Sequence, residues 1–117
     1  MWLFSETGFV SAVQDMSDSE IFTVRGRDRE SLEPLSRLYK VKIRENEGTD
    51  YPYRVSVSKD QFASWVADQI ENLDYTNYKS RMYQSRGENF TEALHDVWED
   101  MHSVSPKNKK TKWNSYL

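Results

Sequence analysis

The sequence predicts an α+β fold, with an antiparallel or mixed sheet of about five strands packed by two or three helices. Between residues 2 and 57, short runs rich in aromatic and β-branched side chains alternate with polar positions, which is typical of half-buried strands. Farther along, apolar side chains recur every three or four positions, as on one face of a helix. A chain of 117 residues has room for one core, so residues 1–104 are predicted to form a single domain.

The first three predicted strands lie between residues 2 and 27. A short turn at Gly8, which tolerates positive φ, separates two apolar runs and predicts a hairpin. After a polar loop, residues 21–27 alternate, with the apolar positions on one side and Arg25 and Arg27 on the other. These runs predict three neighbouring strands at the start of the chain.

The middle of the chain adds a helix and two strands. Apolar side chains on one helical face predict a short helix: Leu32, Leu35, Leu38 and Tyr39. With Ser31 as the N-cap, Pro34 falls in the first turn, where its missing N–H matters least. Strands are then predicted over residues 41–44 and 51–57, with a turn between them.

The last third of the chain is predicted to be helical. Ser58 and Gln61 have the spacing of a capping box, so a helix should begin after Ser58. Its apolar face comprises Phe62, Trp65, Val66, Ile70 and Leu73. Tyr78 and Met82 predict a further turn or two before Gly87 ends that segment. The face of the final helix comprises Phe90, Ala93, Leu94, Val97, Trp98 and Met101.

The predicted order is therefore β-β-β-α-β-β-α-α. Residues 21–73 have the order β-α-β-β-α, most of a ferredoxin-like unit, and the N-terminal hairpin would extend its sheet. Right-handed crossovers would place both helices of this unit on one face of the sheet. The opposite face of the sheet would then remain open.

Composition excludes several classes of protein. The chain has no Cys, which excludes a disulfide scaffold, a Cys-based zinc site and a thiol nucleophile. No apolar run approaches the roughly 20 residues of a membrane span, and the first residues do not resemble a signal peptide. We therefore expect a cytoplasmic protein without membrane partners.

Charge is unevenly distributed along the chain. Residues 105–117 carry four Lys and no acidic residue, and this segment is predicted to be a flexible tail. Residues 21–54 hold eight basic and six acidic residues, whereas residues 60–104 hold three basic and nine acidic. Such a division favours a molecule with a basic and an acidic face.

The basic face is the first candidate site. If the valines of the middle strands face the helices, five cationic side chains share the opposite side of the sheet: Arg25, Arg27, Lys42, Arg44 and Arg54. With Trp2 or Phe4 nearby, such a face suits a phosphate backbone and stacked bases. The same alternation places Lys and Arg on any solvated sheet face, so a purely structural role stays open. The aromatic signature of an RNA recognition motif is absent.

The acidic helical face is the alternative site. Its central residues, Glu92, Asp96 and Glu99, lie on the final predicted helix and could occupy a basic groove of a protein partner. An inhibitor or antagonist, for example one directed against a defence nuclease, would act in this way.

Evidence for catalysis is thin. Asp50, Asp74 and Lys79 could meet in a pocket, although Asp side chains also cap loops. The stripe of His95, Glu99 and His102 has no supporting carboxylate from another element, so we expect no metal site. The chain has no nucleophile elbow, phosphate-binding loop or dinucleotide motif. A non-enzymatic protein without a cofactor is therefore predicted, with a hydrolase or metal-dependent enzyme as a third class.

Five short motifs in this order resemble a family of small uncharacterised bacterial proteins. They are GFxSAV (8–13), VRxR (24–27), DYPYR (50–54), DYxNYK (74–79) and ALxxVWxxM (93–101). The resemblance covers roughly residues 1–104. It implies a bacterial or phage-borne cytoplasmic protein and assigns no catalytic residue.

These observations together predict a small binding module. Its expected partner is nucleic acid or a nucleic-acid-binding protein complex, contacted through the basic side of the sheet. A homodimer is compatible with the sequence.

Overall fold

A computed structural model describes residues 1–106, so most of the predicted Lys-rich tail lies outside the described residues. Contacts divide the chain into two compact units, one of residues 1–74 and one that begins at residue 75. The first unit holds a five-stranded sheet with two helices, and the second holds two further helices. The predicted α+β class is confirmed, with four helices instead of two or three.

The five strands are β1 (Trp2–Ser5), β2 (Gly8–Gln14), β3 (Ile21–Gly26), β4 (Arg44–Glu45) and β5 (Tyr53–Ser58). Their order in the sheet is β1-β2-β3-β5-β4, and every neighbouring pair is antiparallel. The first two helices are α1 (Glu33–Tyr39) and α2 (Lys59–Glu71). Helix α1 connects β3 to β4, and β5 lies between these two strands in the sheet. The predicted β-α-β-β-α arrangement is therefore present, with the N-terminal hairpin added beside β3.

One face of the sheet carries the core of the first unit. The register aligns Ala12, Val24 and Val55 across β2, β3 and β5, and all three are buried. Leu35 of α1 and Trp65 of α2 pack into the same cluster. Directly paired residues of antiparallel strands lie on the same side of a sheet, so both helices cover the valine face.

The capping box at the start of α2 is confirmed. The Ser58 hydroxyl accepts a hydrogen bond from the Gln61 N–H at 3.1 Å, and the Gln61 side chain accepts one from the Ser58 N–H at 2.9 Å. Two donors that the first helical turn leaves without partners are thereby satisfied.

Replacing Ser58 with Ala should lower the free energy of unfolding by about 1 kcal/mol, because the Gln61 N–H loses its acceptor. Urea denaturation followed by circular dichroism measures this change. Ser64→Ala, at an exposed position of the same helix, is the matched control and should leave stability within about 0.5 kcal/mol of the wild type. Equal losses in the two variants would contradict a capping role.

The predicted N-cap of α1, Ser31, is one residue too early. Helix α1 begins at Glu33 with Leu32 as its N-cap. Ser31 is instead held in the preceding turn, since its N–H donates to Asp28 at 2.8 Å and its hydroxyl accepts from the Phe9 N–H at 3.3 Å. The serine connects this turn to β2, so it does not cap the helix.

The strand predicted over residues 41–44 is present but shorter and begins later, because β4 comprises only Arg44 and Glu45. Contacts with the end of α1 fix the residues just before β4. Lys40 adopts a left-handed conformation, and the Ser36 hydroxyl donates to the Val41 carbonyl at 2.6 Å. Likewise, β5 begins at Tyr53, not at residue 51, so the side-chain alternation does not extend back through Pro52.

The second unit consists of α3 (Tyr78–Arg86) and α4 (Glu88–His102). Helix α3 is a separate helix, longer than the predicted turn or two, and Gly87 with φ of 84° joins it to α4. Met82 and Leu94 are buried. The predicted apolar face of α4 is largely exposed, with Trp98 54% and Met101 61% accessible, so the spacing describes a helix but not a fully buried face.

Candidate nucleic-acid interface

The face of the first unit's sheet opposite the core carries a row of side chains across all five strands. The register pairs Trp2 with Ser11, Ser11 with Arg25, Arg25 with Arg54, and Arg54 with Arg44. Paired side chains share a side, and neighbouring strands lie about 4.8 Å apart. The structure therefore brings together three of the predicted arginines from three adjacent strands.

Local hydrogen bonds hold these arginines and leave most of their donors available. Arg25 donates to the Ser11 hydroxyl at 2.7 Å and to its carbonyl at 3.4 Å. Arg54 donates to the Tyr51 carbonyl at 3.3 Å, and Arg44 donates to a serine hydroxyl of β5 at 3.1 Å. A guanidinium has five N–H donors, so each of the three retains donors for an anion.

Tyr51 positions a fourth cation beside the row. The guanidinium carbons of Arg25 and Arg27 lie 4.5 Å and 5.0 Å from the centroid of the Tyr51 ring, which is buried. A guanidinium held over an aromatic ring is attracted by the ring's π electrons, so Tyr51 restrains both arginines. We name Arg25, Arg27, Arg44 and Arg54 the basic sheet face.

Aromatic rings adjoin the basic sheet face on the side of the N-terminal hairpin. Phe4 and Phe9 are paired in the register and stack with centroids 4.6 Å apart. Trp2 meets Phe9 at 5.9 Å with an interplanar angle of 88°, and Phe9 lies 6.5 Å from Tyr51. The sequence indicated Trp2 and Phe4 as nearby aromatics, but the contributions of Phe9 and Tyr51 were missed.

The ion pairs found within residues 1–106 lie away from the basic sheet face. Arg29 contacts Glu33 and Glu45 at 3.7 Å and 2.9 Å, and Arg37 contacts Glu33 at 3.6 Å. Glu45 is opposite Tyr53 in the register, so alternation directs it to the other side of the sheet from Arg44. Within the described residues, no carboxylate forms an ion pair with the four arginines of this face.

Lys42, the fifth predicted cation, lies outside the row. It is exposed and precedes β4 by two residues. Because the segment before β4 is not a strand, its position on the same face does not follow from alternation.

The predicted acidic face lies on α4. Glu92, Asp96 and Glu99 are all exposed. Glu92 and Asp96 line an open cleft of about 710 Å³ between α3 and α4, together with Lys79 and His95. Glu99 is not among the residues that line this cleft.

The three residues of the predicted pocket divide between the two units, with Asp50 and Asp74 in the first and Lys79 in the second, so the pocket stays a prediction. Asp50 lies exposed in the turn before β5, and Asp74 lies exposed after α2. Lys79 is on α3, where its ammonium group is 5.2 Å from the Trp98 ring centroid.

The histidines of α4 make aromatic contacts. His95 and His102 stack on Trp98 with centroids 5.6 Å and 5.4 Å away. No group of three or more His, Asp or Glu side chains within residues 1–106 is placed to hold a metal ion.

Within residues 1–106, the pKa values of Asp15 and Tyr78 depart clearly from their ordinary values. Hydrogen bonds from the Ser17 side chain and backbone lower the pKa of Asp15, in the loop after β2. Burial raises the pKa of the Tyr78 phenol at the start of α3. Neither residue belongs to the basic sheet face.

Within residues 1–106, no helix has both the length and the apolar character required to cross a membrane.

Comparison with other proteins adds no identification. No protein-family model, curated protein or solved structure matches this chain. The resemblance to a family of small bacterial proteins therefore stays an expectation drawn from short motifs, and any functional conclusion depends on the geometry of the site.

Proposed function

We propose that this protein is a non-enzymatic binding module that engages nucleic acid through the basic sheet face. The observation that carries the proposal is the row of Arg25, Arg54 and Arg44 on three adjacent strands. No carboxylate within residues 1–106 forms an ion pair with these side chains.

Arginine is suited to this role because its planar group donates two parallel hydrogen bonds to one phosphate. The Tyr51 ring and the Ser11 hydroxyl restrict Arg25 before any ligand arrives. An ordered side chain loses less conformational entropy on binding than a mobile lysine does. The row therefore favours a polyanion with several phosphates over a single small anion.

The net charge of −3 does not oppose this proposal. Residues 60–104 contain nine acidic and three basic side chains, so the acidic excess is concentrated away from the segment that supplies the arginines. Binding of a polyanion depends on the local potential of a surface more than on total charge.

The salt dependence of oligonucleotide binding tests the proposal. Fluorescence anisotropy with a labelled 12-nucleotide strand should give a dissociation constant of about 1–100 µM near physiological salt. Four phosphate contacts predict a slope of about −2.8 for log K against log salt concentration. Absence of binding both to this strand and to a 12-base-pair duplex at about 50 mM salt, or a slope near zero, would overturn the proposal.

Exposure of Trp98 and Met101 on acidic α4 favours a second candidate, a protein-binding role for this helix. On that hypothesis, E92K/E99K combined with Asp96→Lys should abolish capture of the partner without weakening oligonucleotide binding. Variants of the basic sheet face that lose only oligonucleotide binding would instead favour the first proposal.

A further inference from the structure

We infer that the ligand of the basic sheet face is a single strand of nucleic acid that crosses the strands of the sheet and stacks one base on Trp2. This inference rests on the proposed function and specifies its ligand. Trp2 is the β1 member of the cross-strand row that continues through Ser11 to the three arginines. An aromatic ring and a line of cations are thus placed in sequence on one surface.

The geometry of Trp2 suits base stacking. Its side chain is 69% exposed although it belongs to a regular strand. The contact with Phe9 is edge-to-face at 88°, which covers at most one face of the indole and leaves at least one open. The contact also limits rotation of the ring, so a base meets an oriented surface. Phe4 and Phe9 are less exposed and stack on each other, so they support the site beneath Trp2.

The shape of the face favours a single strand over a duplex. Proteins engage duplex grooves with an inserted helix or β-ribbon, whereas this row lies on the surface of the sheet. In a duplex the bases are already stacked on one another and cannot reach Trp2. The unpaired bases of a single strand can stack on an aromatic side chain while the backbone follows a positively charged path.

The sheet also sets the length of the bound segment. From β1 to β4 the row spans four strand spacings, or about 19 Å. At about 3.4 Å per stacked nucleotide, this distance corresponds to about six nucleotides. The base-stacking end lies at β1, and the phosphate-binding end lies over β3, β5 and β4.

Anisotropy measurements on the full chain test this inference, with any purification tag at the C-terminal end because the Met1 backbone bonds to Ala12. The probes are oligothymidylates of 3, 6 and 12 nucleotides, a 12-nucleotide oligouridylate and a 12-base-pair DNA duplex. We expect the 6-mer to bind about tenfold more tightly than the 3-mer and nearly as tightly as the 12-mer. The duplex should bind about tenfold more weakly than the 12-mer. A tenfold preference for the thymidylate or the uridylate 12-mer would identify the preferred strand, and either preference supports the inference because both probes are single strands.

Trp2→Ala should weaken 12-mer binding about 5- to 150-fold, as expected for loss of one stacked base, and Trp2→Phe should restore much of it. Trp98→Ala, which removes another exposed indole, is the matched control and should bind like the wild type.

Duplex binding as tight as single-strand binding, or equal affinities of the two alanine variants, would overturn the inference while the proposed function stands. Failure of every probe to bind would overturn the proposed function itself. If circular dichroism shows that the Trp2→Ala variant does not fold, the comparison of single-strand and duplex binding by the wild-type protein tests the inference without a variant.

Discussion

Replacing Arg44 and Arg54 together by glutamate is expected to weaken binding of a 12-nucleotide single strand by about 100-fold or more at low salt. Each arginine contributes a charge-assisted hydrogen bond of about 1.5–3 kcal/mol, and each glutamate adds repulsion of phosphate. The loss of two phosphate contacts should also reduce the salt slope by about 1.4. Anisotropy titrations across a range of salt concentrations measure both quantities.

These two residues are the appropriate targets because Arg44 is exposed with an exposed hydrogen bond, and Arg54 makes one long, part-buried hydrogen bond to a backbone carbonyl. Arg25 is a poorer choice, since it bonds to Ser11, which is only 1% exposed, and lies over the buried Tyr51 ring. Reversal of charge at Arg25 would disturb folding as well as binding.

The matched control is Arg37→Glu with Lys59→Glu, which changes net charge by the same amount. Both side chains are exposed and lie on α1 and α2, the helices that cover the other face of the sheet. The control should retain binding within a few-fold of wild type. If both double variants lose affinity equally, total charge governs binding and the basic sheet face has no special role.

Replacing Trp65 with Ala is expected to lower the free energy of unfolding by about 3–5 kcal/mol. Trp65 is 2% exposed, packs 5.9 Å from the Phe62 ring and belongs to the core beneath the sheet. Its removal leaves a large cavity between α2 and the valine face. A protein of this size commonly has only about 5–15 kcal/mol of stability in total, so the variant should lose a large share of it.

Urea denaturation followed by far-ultraviolet circular dichroism measures this loss without relying on the deleted fluorophore. With a slope of about 2 kcal/mol/M, the midpoint should fall by about 2 M. Trp98→Ala is the control for the loss of an indole, and because Trp98 is 54% exposed its midpoint should change little. Equal shifts in the two variants would contradict the placement of Trp65 in the core.

The sequence predicted those elements whose signals are local. The Ser58–Gln61 capping box correctly located the start of α2, because both of its hydrogen bonds lie within four consecutive residues. Alternation in β3 and β5 correctly separated the valines from Arg25 and Arg54, since the pleat alone assigns successive side chains to opposite faces.

Predictions that depended on helical spacing alone were less accurate. Leu38 was assigned to the buried face of α1 but is 57% exposed. Residues three apart are offset by about 60° around a helix, so the third member of the series Leu32, Leu35 and Leu38 has rotated well away from the first. The strand predicted from residue 41 begins later for a different reason, because the hydrogen bond from Ser36 to Val41 has no sequence signature.

The candidate site shows the same division between local pattern and tertiary contact. The amino-acid sequence by itself determined that cations alternate with core valines on the middle strands, because that outcome needs only the two-residue period of a strand. Only the tertiary structure decided that Trp2, Ser11, Arg25, Arg54 and Arg44 form one row, since the register between strands depends on pairings up to dozens of residues apart. The tertiary structure also decided the position of Tyr51. Because β5 begins only at Tyr53, alternation does not assign Tyr51 to a side, and its ring packs against Arg25 and Arg27 on the basic side.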